Sequence, residues 1–292
     1  MTGFRTAGGT RPRSHSIQNG LVAAAILVEF VLIIGHPLFG WGSTTYAATP
    51  RPLVYNAPQP PSGREVLLTL SATAAKQPVA LQVPGTPYAY VRVRTWHLSV
   101  PRSDQSPPSV VLPTVTQSWL RSDGSGRLRR ITSRMHGTNV SDTPVAAGHP
   151  LPPLSVNPAV LARRFGLVYP GTAPSARQFV TFTAMADSQP ISPPVEAAIL
   201  RLLALTPGVV NSGTVTDRNG RPGVAVSVES DYTGVEISYT LVFDQSTGKL
   251  LEADQTLTGD PGKLDVPQGA VLGYTSYLQS GYAAGTSAPP AS

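Results

Sequence analysis

The sequence predicts an α+β fold: a largely antiparallel sheet with packed helices, behind an N-terminal transmembrane helix. Three observations predict it. Thirty prolines, 27 glycines and only 13% charged residues make a turn-rich profile, well below the roughly 25% charge of an average domain. β-branched runs such as GVAVSV and SYTLVF alternate with turns bearing Gly and Asp. Helix signals gather in two places, so the order is helix, strands, helices, strands, which is the pattern of α+β rather than of alternating α/β. A curved, half-barrel-like sheet with helices in its concave face, as in lipid and lipoprotein carriers, fits that order by analogy of fold.

The elements follow in chain order. Ser62 with Glu65 three residues on is a capping box, and Val66, Leu67, Leu70 and Ala74 then share one helical face until Gln77-Pro78. YAYVRVRTWHLSV, residues 88–100, alternates as a strand, with Ala89, Val91 and Val93 on one side and Tyr90, Arg92, Arg94 and Trp96 on the other. Residues 109–135 read as a hairpin turning at Asp123-Gly124-Ser125-Gly126. Asn157 before Pro158 starts a helix carrying Val160, Leu161 and Phe165. Ser175 with Gln178 predicts a second capping box, ahead of Phe179, Phe182 and Met185. Ser192-Pro193-Pro194 opens the clearest helix, with Val195, Ile199, Leu202 and Leu203 as its buried stripe and Gly208 beyond its end. Turns at 217–220, 232–234 and 244–248 then separate three or more antiparallel strands, and AVLGYTSYL closes the domain.

The N-terminal part fixes the compartment. Residues 1–20 carry Arg5, Arg11 and Arg13 and no acid, so they form a basic cytoplasmic tail. Residues 21–41 hold an apolar run of about the 20 residues that a bilayer core needs. Its Leu, Ile, Val and Phe residues contribute roughly −5 kcal/mol to insertion, more than the about +3 kcal/mol that Glu29 costs. An uncleaved anchor is the favoured reading; a signal cleaved before Ala48 and a buried soluble helix stay open. Residues 42–61 form a Pro-rich linker, extended and semi-rigid. The extracytoplasmic domain then spans 62–283, and 284–292, rich in small residues, reads as a disordered tail.

Charge is polarised along the chain. Residues 51–178 carry fourteen basic residues against four acids, while 179–292 carry five against eleven. Complementary halves folded on each other account for this without nucleic acid, whose binders gather basic residues on a surface free of acids. The chain has no cysteine, which excludes disulfides, thiol catalysis and thiolate metal sites.

Motifs for chemistry are sparse. There is no Gly-x-Ser-x-Gly elbow and no phosphate loop, and His97, His136 and His149 lack the spacing of a zinc pair. Ser246-Thr247-Gly248-Lys249 matches Ser-x-x-Lys but falls in a predicted turn with no Lys-Thr-Gly downstream. Glu229 with Asp231, and Glu252 with Asp254, each share a strand face; without a calcium-loop signature they read as solvated. Asn139-Val140-Ser141 is a sequon by pattern alone. The candidate ligand or partner surface is therefore the aromatic set Tyr90, Trp96 and Trp119 with the basic cluster Arg121, Arg127, Arg129, Arg130 and Arg134. Those aromatics could line a groove or fill a core. The arginines could meet an anionic partner, or pair with the acidic C-terminal half.

The strings YAATP, VRVRTW, LPTVTQSWLRSDGSGR, SGTVTDRNGRPGVAVS, LVFDQSTGKLLEADQTLTGDPGKLDVP and VLGYTSYLQSGY, between Tyr46 and Tyr282, carry a resemblance. The chain resembles an uncharacterised actinobacterial family of single-pass membrane proteins with an exported domain, often encoded beside extracytoplasmic-function sigma factors. The resemblance implies membrane attachment and envelope sensing or regulation, and it supplies no catalytic residue. The expectation is a non-catalytic, membrane-anchored extracytoplasmic binding or sensory domain without cofactor or metal. Its partners would be the membrane, through residues 21–41, and a protein or lipid ligand, with no nucleic acid. The alternatives are an envelope carrier of a lipophilic ligand and a form secreted after signal cleavage.

Overall fold

A computed structural model describes residues 49–56, 61–79, 84–98, 113–134, 137–151, 153–167, 174–262, 264 and 266–290. The predicted anchor at 21–41 lies outside these residues, and among the described ones no helix is long and apolar enough to cross a membrane. The elements run α1 (Gly63–Ala75), β1 (Tyr88–His97), β2 (Thr114–Leu120), β3 (Gly126–Arg134), β4 (Gly137–Val145), α2 (Pro158–Leu167), α3 (Pro174–Ser188), α4 (Pro193–Leu203), β5 (Val210–Thr216), β6 (Pro222–Ser230), β7 (Ile237–Phe243), β8 (Leu250–Leu257) and β9 (Val271–Ala283). The α+β class holds. The nine strands among the described residues form one open antiparallel sheet in the order β4-β3-β2-β1-β9-β8-β7-β6-β5. Two meanders, β1 to β4 and β5 to β9, are thus joined edge to edge by β1 and β9.

Local chemistry explains most boundaries. The capping box at Ser62 forms as expected, its hydroxyl accepting from the Glu65 N–H while the Glu65 carboxylate accepts from the Ser62 N–H. Asn157 caps α2, its Oδ1 accepting from the N–H groups of Ala159 and Val160. At α3 the expectation fails. The helix already contains Pro174 and Ser175, with proline at the first position where its missing N–H costs nothing, and Gln178 accepts from the Thr206 hydroxyl instead of completing a capping box.

Helices cover one face of the sheet. Leu67 and Leu70 of α1, Phe179 and Phe182 of α3, and Ile199 and Leu203 of α4 pack on Val226, Leu241, Phe243 and Leu257 in one continuous core. The rings of Phe182 and Phe243 stack with centroids 6.2 Å apart. Gly248, in the turn between β7 and β8, sits at φ +77, and a Cβ there would lie 2.8 Å from the Leu70 carbonyl. Gly248→Ala therefore meets both left-handed strain and a backbone clash with α1. We expect a loss of about 2 kcal/mol or more and a Tm lower by several degrees in a thermal melt.

The opposite face, here the outer face, is closed partly by the chain's terminal segments. Within the linker expected to stand free, Leu53 and Tyr55 pack against Val215, Ala225, Val242 and Leu251. Tyr55 bridges Val215, and the Asn56 N–H donates to the Thr214 carbonyl at 2.9 Å. Residues 284–290, expected to be disordered, lie back across β9, β1 and β2, because their carbonyls find side-chain donors there. Described contacts with the folded body thus run from Arg51 to Pro290, beyond the expected 62–283. β4 was not foreseen as a strand. It is an edge strand, exposed along nearly its whole length.

Candidate functional site

Alternation along β1 and its neighbours places Tyr90, Arg92, Arg94 and Trp96 on the outer face, in register with Trp119, Gln117, Arg127 and Arg129. The structure joins Tyr90 to Trp119, ring centroids 5.1 Å apart, with both side chains at most 1% exposed. Trp96 stands apart, packed with Val271 and Tyr274. Arg127 lies over the Trp119 ring at 5.8 Å and Arg121 over Tyr88 at 5.5 Å.

The basic cluster is not one surface. Arg127 and Arg129 both bind Asp142, at 2.9 and 3.0 Å, and these two guanidiniums, Arg129 first, hold the Asp142 pKa down at about 2. Arg130 alternates to the helix-bearing side and is exposed, and Arg134 ends β3 opposite Gly137. The expected pairing with the acidic C-terminal half is thereby corrected for Arg127 and Arg129. Their acid is on β4, directly opposite Arg129 and two residues along the ladder from the position opposite Arg127, because adjacent strands put partners closer than a distant half of the chain can.

The acids expected on a solvated strand face are split. Glu229 and Asp231 are exposed. Glu252 and Asp254 are buried, at 0% and 2% exposure, beneath the 217–220 turn and close to the 49–56 segment. Arg218 answers both: its Nη1 contacts Glu252 Oε1 and lies 2.7 Å from Asp254 Oδ2, and its backbone N–H donates to Glu252 Oε2. Its guanidinium stacks 4.3 Å from the Tyr274 centroid. The hydroxyls of Ser276 and Thr256 donate to the two acids. One cation against two carboxylates leaves burial uncompensated, so desolvation raises the pKa of both acids although Arg218 pulls them down. Asp254 Oδ2 has the ion contact but no well-aligned hydrogen bond. Arg218 occupies the place a metal would need, and no group of three potential ligands occurs among the described residues.

A cleft opens where β8 and β9 part. Their ladder ends at Glu252 and Ser276, while β9 continues beside β1 alone. Arg221 spans the gap, donating to the carbonyls of Tyr277 at 2.7 Å and Leu251 at 2.9 Å, and Asp217 aligns it at 2.5 Å. The space beside it, about 100 Å³, is lined by Phe182, Ala186, Ile191, Glu196 and Lys249, among others. Burial pushes Glu196 up to about 7, although its Oε1 accepts the Leu250 N–H. Burial also raises Asp187 on α3 to about 7 although the Tyr277 hydroxyl opposes it, and its Oδ1 has no hydrogen-bond partner among the described residues.

Ser246 is confirmed in a turn, where its N–H and hydroxyl both donate to Asp244 Oδ1 at 2.7 and 2.6 Å. That is an Asx-type turn, not a nucleophile beside a base.

No known family matches the chain by sequence, and no curated protein matches it. Similar solved structures include the dehydratase domains from the CurK and CurF modules of curacin polyketide synthase, each 12% identical with TM-score 0.16, covering 74% of this chain and 80% and 81% of theirs. A dehydratase domain of a mycocerosic acid synthase-like polyketide synthase is 14% identical with TM-score 0.14, covering 78% of this chain and 83% of its own. Likeness at that score carries no argument about activity.

Proposed function

We propose that the chain is a membrane-anchored extracytoplasmic binding or sensory domain, without catalysis of its own, that acts in envelope signalling. The observation that carries this reading is the seating of residues 49–56. The segment that would lead from the anchor is built into the outer face, through Tyr55 on Val215 and through the Arg51 carbonyl accepting from Arg218. A displacement at the membrane would then pull directly on the sheet and on the buried Arg218 cluster. The N-terminus is cytoplasmic and the folded domain outside, following the arginines before residue 21. The resemblance to single-pass actinobacterial proteins encoded beside sigma factors agrees with this.

The sheet is read as curved in the half-barrel manner, supported by register shifts in four of its strand pairs, since bulges bend and twist strands. Such a sheet also suits a lipid carrier. Against the carrier stands the filled helix-bearing face, where the cleft beside Arg221 offers about 100 Å³, while small-molecule sites typically enclose about 300–1,000 Å³. Native mass spectrometry of purified residues 48–292, which include every contact described above, decides between them. Bare protein is the expected result, and a stoichiometric co-purifying lipid would overturn the binding-domain reading in favour of the carrier.

A further inference from the structure

The segment 286–290 meets the sheet in an unusual way. Three side chains donate hydrogen bonds to it, and all three go to its backbone carbonyls: Arg127 Nη1 to Thr286 O at 2.9 Å, Trp119 Nε1 to Ala288 O at 2.9 Å, and Gln279 Nε2 to Pro290 O at 3.4 Å. The acceptors fall at every second residue. The chain bends through 284–288 before Pro289 and Pro290, and Ala288 and Pro289, each preceding a proline, are biased away from helical backbone by that neighbour. A proline-rich segment offers acceptors and few N–H donors, so a groove that reads it supplies donors beside aromatic rings.

This groove does so. Its floor is the buried pair Tyr90 and Trp119, flanked by Tyr88 and Ala283. Asp142 grips Arg127 through Nε and Nη2, leaving Nη1 for the tail carbonyl. Gly281 lets the Pro290 ring approach, since a Cβ there would stand 3.0 Å from Pro290 Cγ. The occupant is replaceable. Ala284, Ser287, Ala288 and Pro289 are exposed, and no side-chain hydrogen bond from the tail to the sheet is among those described.

We infer that the groove formed by Tyr90, Trp119, Arg127 and Gln279 is a recognition site for a proline-rich segment of a partner protein, and that Thr286–Pro290 fills it in cis. The inference rests on the binding-domain reading and gives that domain a partner class. A short tether holds the tail at an effective concentration of roughly millimolar, so an incoming segment must compete with it.

The test uses the full-length protein and a variant ending at Ala283, with a fluorescein-labelled peptide GTSAPPAS as probe and anisotropy as readout. The shortened variant is expected to bind the probe saturably, at least about tenfold tighter than the full chain. In that variant Trp119→Phe, which keeps a ring but loses the donor, is expected to weaken binding about fivefold, and a GTSAAAAS probe should bind several-fold more weakly. If removing residues 284–292 unfolds the protein, the full chain carrying Pro289→Gly and Pro290→Gly replaces it, and must bind the probe more tightly than the unaltered chain. Equal binding by the occupied and vacated chains, or equal binding of both peptides, would overturn the inference. Such a failure with a bare native mass spectrum removes only this partner class, whereas a co-purifying lipid removes the binding-domain reading whatever the peptide does.

Discussion

Arg218→Met is expected to destabilise the domain by about 3–5 kcal/mol near pH 8, lowering Tm by roughly 10 °C. Methionine keeps much of the length and can pack on Tyr274, so the change removes the guanidinium with its charge and its donors while filling most of its space. What it leaves is Glu252 and Asp254 side by side, 0% and 2% exposed, with the Ser276 and Thr256 hydroxyls and the backbone N–H of residue 218 as the described donors to them. Two carboxylates in that position cannot both stay ionised. Their pKa values are already raised by burial in the folded protein and would rise further without the cation. An acid whose folded pKa is raised gives stability that is complete below its unfolded pKa and is lost as pH climbs through the folded one. The deficit of the variant should therefore shrink from about pH 8 to about pH 5, as protons replace the missing arginine. Arg218→Lys should recover only part of the loss, because an ammonium can sit between the acids as Nη1 does but cannot also stack on Tyr274 and donate to the Arg51 carbonyl as the planar guanidinium does. Thermal melts at the two pH values check this; a loss below about 1 kcal/mol, or one independent of pH, would sink the account of the cluster.

Why that cluster escaped sequence reasoning is instructive. In LLEADQTL the acids alternate with apolar residues, which is the mark of a half-buried strand with a wet face, and periodicity carries no information about what lies on that face. The cover comes from Arg218 in a neighbouring turn and from residues 49–56, some two hundred positions away. The tail failed for a related reason: small residues and prolines cannot form a core, yet their carbonyls can still be bound by Trp119, Arg127 and Gln279. β4 was missed because GTNVSDTPV has no buried face, and without one there is no alternation to see. Where a local device sets the structure, the sequence was readable. Ser62 with Glu65, Asn157 with Pro158, and the turns at 217–220 and 244–248 all act within a few residues, and each forms. The candidate surface was readable in part: Tyr90, Trp119 and Arg127 do come together, whereas Arg130 alternates away because a strand sends neighbouring residues to opposite faces.

Glu196→Gln is expected to raise Tm near pH 8 and to leave it unchanged near pH 4. Glu196 is 4% exposed, and its one described hydrogen bond, from the Leu250 N–H, can be kept by the amide oxygen of glutamine. Burial holds its folded pKa at about 7 against 4.5, and that of Asp187 at about 7 against 3.8. Both shifts have the same sign. Folding takes up protons between about pH 4 and pH 7, so the wild-type domain should lose stability across that window as pH rises. For Glu196 the full shift corresponds to about 3 kcal/mol, an upper bound on what the glutamine variant can regain near pH 8. Below about pH 4 the slope should reverse, because exposed carboxylates such as Asp142, held down at about 2 by its arginines, stabilise only while ionised. Glu196→Ala separates charge from hydrogen bonding. It removes the acceptor and leaves the Leu250 N–H buried and unpaired, which should cost about 1–3 kcal/mol at every pH. Melts of the three proteins across the window therefore distinguish a buried acid that the domain keeps neutral from one that it needs ionised; a glutamine variant less stable than wild type near pH 8 would establish the second.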